Sequence, residues 1–151
     1  MDMTLLPADN YIVINKSVIT AHDMEIINLL YLPIIGPLAV SLYNVLYNDL
    51  DHLKTMSDNL THAHLLANLH LSCKELVEVR NVLEAIGLIK SYVKTDSVNR
   101  YIYELYSPVS CHEFFSHPIL NIVLYNNVGK IEYDRLINYF KIPKVNKEGY
   151  T

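Results

Sequence analysis

The stretch that begins LTHAHLLANLHLSCKELVEVR at Leu60 and ends NRYIYEL at Leu105 leaves this chain few architectures to choose from. Thr61 is placed to cap a short helix, with Leu65, Leu66 and Leu69 inward and His62, His64 and Asn68 outward. His70-Leu71-Ser72 reads as a turn. Ser72 then caps a second helix, with Glu75 at the capping-box spacing. That helix is expected to bury Leu76, Val79, Leu83 and Ile86 and to close at Gly87. Two short runs follow, Leu88–Val93 and Tyr101–Leu105, joined by the polar tip Lys94–Arg100. The second run alternates, with Tyr101, Tyr103 and Leu105 on one face and Ile102 and Glu104 on the other. Helix, tight turn, helix and hairpin make a winged helix-turn-helix.

The flanks add mostly helices. Tyr11–Ile14 is apolar and β-branched, which favours a short strand. Thr20 fits an N-cap with Asp23 in the first turn, and Met24, Ile27, Leu30 and Tyr31 recur at helical spacing. Pro33 is expected to end this helix, because a proline steers the preceding Leu32 away from the α region. Gly36-Pro37 restarts the chain into a helix over about 37–50 that is apolar on nearly all sides. Such a helix either runs through the domain centre, the simpler reading, or turns its second face to another subunit. The second reading makes Tyr43 and Tyr47, with Tyr11 and Val13, a candidate self-association or partner surface. Residues 49–60 read as a frayed helix end and loop. After the hairpin, Ser110 caps a short helix over 111–115, Pro118 starts another over 119–127, Gly129 stops it, and a last helix runs over 131–140. The fold class is therefore mostly α with a small β hairpin: a winged helix-turn-helix with extra C-terminal helices. Residues 1–140 are expected to form one domain, and the polar residues 141–151 a linker to further domains.

Composition narrows the function classes. The chain is 51% hydrophobic and only 19% charged, which suits a globular core and leaves apolar surface for an interface. The net charge of −4 is uneven: residues 1–60 carry two Lys against seven acids, whereas residues 61–110 are balanced. A domain that grips duplex DNA by its phosphates normally shows a basic surplus, and this one does not. Two cysteines, Cys73 and Cys111, make no disulfide framework. The acidic N-terminus lacks a secretory core segment, and the longest apolar run, Leu29–Val40, is too short to span a bilayer. A cytoplasmic protein is expected.

Nothing points to catalysis. The seven histidines show no metal-ligand spacing: His62 and His64 diverge on a helix, and His70 and Cys73 straddle a turn. No cysteine has a base at a useful spacing, and the four glycines are isolated. No catalytic, cofactor or metal residue is expected, and no enzyme activity.

DNA contact is the sharper question. In this fold the second helix enters the major groove. Its exposed positions here hold Lys74 and Arg80 beside Glu75, Glu78 and Glu84, an acidic balance that opposes phosphates. The wing is more basic, with Lys90, Lys94, Asn99 and Arg100 against Asp96. These six, Lys74, Arg80, Lys90, Lys94, Asn99 and Arg100, are the candidate DNA contacts. Binding through them is expected to be weak and without sequence preference. A sequence-specific transcription regulator is the alternative, in which Arg80→Ala would relax base preference.

The run YLPIIGPLAVSLYNVL at Tyr31–Leu46 resembles a segment near the start of the DnaB-type replication initiation and membrane attachment proteins of low-GC Gram-positive bacteria. LLPADNYIV at Leu5–Val13, LTHAHLLANLHLS at Leu60–Ser72, LEAIGLIKSY at Leu83–Tyr92 and the run from Tyr101 to Gly129 resemble the same family, in the same order. Departures are small: Leu32 stands where a Gln is common, and Tyr47 where a Trp is. The resemblance implies the winged-helix N-terminal domain of a primosomal helicase loader, active in DNA replication initiation and restart. It implies self-assembly as a homo-oligomer, work alongside a DnaD-type initiation protein and a helicase-loading ATPase, and association with the nucleoid and the membrane periphery.

Overall fold

The computed structural model describes residues 4–51, 56–141 and 147–151. They divide into two compact units, residues 1–109 and 110–151. That boundary falls inside the stretch 1–140 read as one domain.

The first unit opens with strand β1 (Asn10–Asn15) and helix α1 (Ala21–Ile26). Thr20 caps α1 as expected, and Asp23 returns a bond to the Thr20 N–H, which closes a reciprocal capping box. The expected break at Pro33 does not occur. A π-helical turn (Ile27–Tyr31) carries the chain directly into α2 (Leu32–Ile35), and Leu32 keeps helical angles of φ −51°, ψ −46°. The Leu32 N–H reaches back five residues to the Ile27 carbonyl, and this wider turn gives the Pro33 ring room. Burial of Ile26, Ile27, Leu30 and Tyr31 outweighs the local preference of a residue before proline.

The helix stops instead at Gly36, at φ 85°, ψ 167°, a region essentially reserved for glycine. No atom lies within 4 Å of where a Cβ would stand, so an alanine there meets torsional strain rather than a clash. Gly36→Ala is expected to cost about 1–3 kcal/mol. The check is a lowered urea midpoint with an unchanged slope.

Helix α3 (Pro37–Asp49) packs against α2, the sheet, and two later helices, α4 (His62–Leu69) and α5 (Cys73–Ala85). It lies at the centre of the unit, with Ala39, Val40, Leu42, Tyr43 and Leu46 buried. The region read as a frayed loop contributes three two-residue strands: β2 (Leu50–Asp51), β3 (Met56–Ser57) and β4 (Leu60–Thr61). The wing strands are β5 (Ile89–Lys94) and β6 (Arg100–Leu105). The hairpin is not alone: β1 lies parallel to β6 and antiparallel to β3 and β4, giving the order β2-β3-β1-β6-β5.

In the second unit, Ser110 caps α6 (Cys111–Ser116) by accepting from the Glu113 N–H. Helix α7 (Leu120–Phe140) is broken at Gly129, at φ 83°, ψ 171°, the point read as a stop. Tyr133 folds its two halves together, donating to the Asn121 side chain and meeting the Tyr125 ring edge-on. The tail residues 142–146 lie outside the described residues.

Candidate functional site

The turn before α5 is built as its residues dictate. His70 ends α4 in the left-handed region at φ 55°, which histidine tolerates better than most residues. Ser72 and Glu75 close a full capping box at 3.1 Å and 3.2 Å. The Ser72 N–H holds the Glu75 carboxyl below its ordinary pKa. Ser72→Ala is expected to cost about 1 kcal/mol, read in thermal unfolding.

The outward charges of α5 are mostly acidic. Lys74 is exposed beside Glu75 and Glu78. Arg80 is turned inward: its side chain is 17% exposed, its Nε sits 3.3 Å from Glu84, and its guanidinium lies over the Tyr101 ring. Its Nη1 donates to the Tyr103 hydroxyl at 3.5 Å. The expectation of Arg80 as an exposed residue of α5 is therefore corrected. Tyr101 and Tyr103 face inward from β6 and supply a π face and a hydroxyl, which drew the side chain in.

A second correction concerns His62, expected outward and found fully buried. Its Nδ1–H donates to the Asp9 carbonyl at 2.7 Å. A carbonyl only accepts, so in the neutral ring Nε2 carries the lone pair and accepts from the Tyr103 hydroxyl at 2.7 Å. The rings of Tyr11, Tyr101 and Tyr103 surround it. Burial pushes its pKa down and keeps the imidazole neutral. The result is a directional chain: Arg80 to Tyr103, Tyr103 to His62, His62 to Asp9. It ties α5, the wing, α4 and the N-terminal segment together.

Tyr11, Val13 and Tyr43 are also core residues, each fully buried, and offer no surface to another copy in this structure. Tyr11 donates to Asp49 at 2.6 Å, and His64 meets the other Asp49 oxygen at 2.9 Å. These two offset a carboxylate placed at the negative end of α3. Tyr43 donates to the Tyr106 carbonyl at 2.8 Å, tying α3 to the end of β6. Burial raises the pKa of both phenols. Tyr47 is half-buried.

The outer face of the wing sheet is different. Its register makes three rows: Asn10, Arg100 and Lys94; Ile12, Ile102 and Tyr92; Ile14, Glu104 and Lys90. Ile102 and Tyr92 are exposed, and the apolar middle row borders a groove of about 450 Å³. Lys90, Lys94 and Arg100 are exposed around it, and the Lys90 ammonium lies over the Tyr92 ring. Asn99 is half-buried, and its carbonyl accepts from the Asn10 N–H. Three of the six candidate DNA contacts thus gather on one face, with Asn99 at the same end, while Lys74 and Arg80 lie apart. The hairpin was legible in sequence, but β1 joining it was not. The alternation of Tyr11 and Val13 with Ile12 and Ile14 was the available signal.

Among the described residues, no group of three or more His, Cys, Asp or Glu is placed to hold a metal ion. Among the described residues no helix is long and apolar enough to cross a membrane. The model of the DnaB N-terminal winged helix domain matches residues 5–148. The chain belongs to this family. The replicative helicase loading/DNA remodeling protein DnaB of Staphylococcus aureus is 32% identical over 142 residues, covering 93% of this chain. A crystal structure of residues 1–300 of primosome protein DnaB from Geobacillus stearothermophilus superimposes with a TM-score of 0.86 at 30% identity, over 97% of this chain. The chain spans 30% of the length of the first relative and 56% of the solved chain. The winged-helix fold read from Leu60–Leu105 is the family's own.

Proposed function

We propose that this chain is the assembly and docking module of a primosomal helicase loader acting in the cytoplasm during replication initiation and restart. The family and the name of the Staphylococcus aureus relative support the setting. The observation that carries the docking role is the fate of α5. Its arginine is spent inside the fold, and its outward charges are mostly acidic. Such a helix does not read bases, so the winged helix serves as a scaffold for protein contacts. The partners are further copies of the chain, a DnaD-type initiation protein and a helicase-loading ATPase. DNA contact is confined to the Lys94–Arg100 tip and lacks sequence preference.

Sedimentation velocity of the purified chain across micromolar concentrations tests this reading. Concentration-dependent growth beyond the monomer, with retention of a DnaD-type partner, is the expected result. A strict monomer that retains no partner would overturn it. The wing lysines favour one second reading, a sequence-specific DNA binder. That reading requires a defined duplex to outcompete a random one, and salt-sensitive binding that ignores sequence rules it out.

A further inference from the structure

We infer that the free edge of β5 is a docking site for an extended acidic segment of a partner protein, which adds to the sheet as a further strand. This rests on the reading of the chain as a docking module and names one surface and one partner class for it.

Three independent features coincide there. The first is backbone. β5 ends the strand order, and among the described residues no strand pairs with its outer side. The Tyr106 N–H donates to the Leu88 carbonyl, and the β5–β6 register continues this alternation through Lys90, Tyr92 and Lys94. The N–H and C=O groups of Ser91 and Val93 therefore point away from β6, along the open edge. The second feature is apolar surface. Tyr92 is 44% exposed, Val93 43% and Ile102 37%, and the row of Ile12, Ile102 and Tyr92 ends at this edge. The third is charge. Lys90 and Lys94 flank Tyr92 on the outer face of β5, and Arg100 stands beside Lys94. The acid on the same face, Glu104, is buried, and Asp96 lies in the tip loop.

These features specify the occupant's pattern. Residues directly opposite one another on paired strands share a face. A strand laid along β5 puts one side chain opposite Tyr92 and its second neighbours opposite Lys90 and Lys94. The matching sequence is acidic, any, apolar, any, acidic, and it reads the same in either direction. Main-chain bonds to Ser91 and Val93 supply affinity, and the alternate side chains supply selection.

A single-stranded nucleic acid is the competing occupant of a basic and aromatic surface. The geometry favours the peptide. The apolar row offers one aromatic ring, Tyr92, already covered by Lys90, and the rest of that row is isoleucine. Residues 1–109 carry seven Lys and Arg against twelve Asp and Glu, a balance that opposes a polyanion. Lysines on an edge strand also guard it against pairing with other chains. That role predicts no selection for acidic peptides, which the experiment reads directly.

The test uses the full chain labelled for amide exchange and a short synthetic peptide built on Glu-Thr-Phe-Thr-Glu. At saturation, the Ser91 and Val93 amides are expected to exchange at least about tenfold more slowly, with the β5–β6 ladder unchanged. The double variant K90E/K94E is expected to bind at least about tenfold more weakly and to prefer a Lys-Thr-Phe-Thr-Lys peptide. Val93→Pro removes only an outward N–H, which an edge strand tolerates, and is expected to fold and lose binding. Unchanged exchange at Ser91 and Val93, or unaltered affinity in K90E/K94E, would overturn the proposal. So would a mixed-sequence oligonucleotide that protects this face where the peptide does not. The same holds for edge protection that rises with chain concentration alone, which would give the edge to a second copy. Sedimentation of the same samples separates this failure from that of the docking module as a whole.

Discussion

Replacing His62 with alanine is expected to destabilise the first unit by about 3–5 kcal/mol. The imidazole is fully buried and makes two bonds of 2.7 Å. Truncation empties a space lined by three tyrosine rings and leaves the Tyr103 hydroxyl without its acceptor. Domains of this size are stable by only about 5–15 kcal/mol, so the variant sits near the edge of folding. His62→Asn separates the two bonds. Its amide can keep the donor to the Asp9 carbonyl but cannot reach Tyr103, so it is expected to recover part of the loss. Urea unfolding at pH 7 reads both values. Equal stability of all three proteins would show that the chain from Arg80 to Asp9 does not hold the fold.

The same histidine sets a pH dependence. Burial lowers its folded pKa below the ordinary value of about 6.5. Between the two values the unfolded chain binds more protons than the folded one, so stability rises with pH across that window. The contribution is complete above about pH 6.5 and is lost as pH falls toward the lowered value. Urea midpoints taken between pH 7 and pH 5 should fall more steeply for the natural chain than for His62→Asn.

Local chemistry explains which parts of this architecture could be read from sequence. The N-cap at Thr20, the capping box at Ser72–Glu75, the closure at Gly87 and the break at Gly129 each depend on residues within a few positions of one another. So does the inward alternation of Tyr101, Tyr103 and Leu105. What stayed hidden depends on residues far apart in the chain. β1 pairs with β6 across some ninety residues, and no local pattern encodes that partner. The burial of His62 is decided by Asp9 and Tyr103. Each polar atom reads as outward until its partner is placed beside it. Pro33 failed for a related reason: core burial of Ile27, Leu30 and Tyr31 selected a π turn over the break that proline locally favours. The candidate site was half legible, since the basic tip could be seen in the sequence but its apolar row could not. Ile12 joins Ile102 and Tyr92 only through the unforeseen pairing of β1.

Arg80→Ala is expected to lower stability by about 2 kcal/mol while leaving any preference between duplexes unchanged. Alanine removes the cation over Tyr101, the donor to Tyr103 and the stem packed behind α5. The partner Glu84 is itself partly exposed and also accepts from Ser91 at 2.6 Å, so losing the ion contact adds little. Arg80→Met restores the stem and should recover part of the loss. Paired measurements decide the role: urea unfolding of each variant, and titration of two unrelated duplexes at two salt concentrations. A stable Arg80→Ala chain that loses preference for one duplex would place this arginine on bases and sink the docking reading of α5. Lys94→Ala and Arg100→Ala are the converse pair. Both side chains are exposed, so stability should hold while the salt dependence of weak binding flattens. A single arginine turned inward thus ties α5 to the wing strand β6.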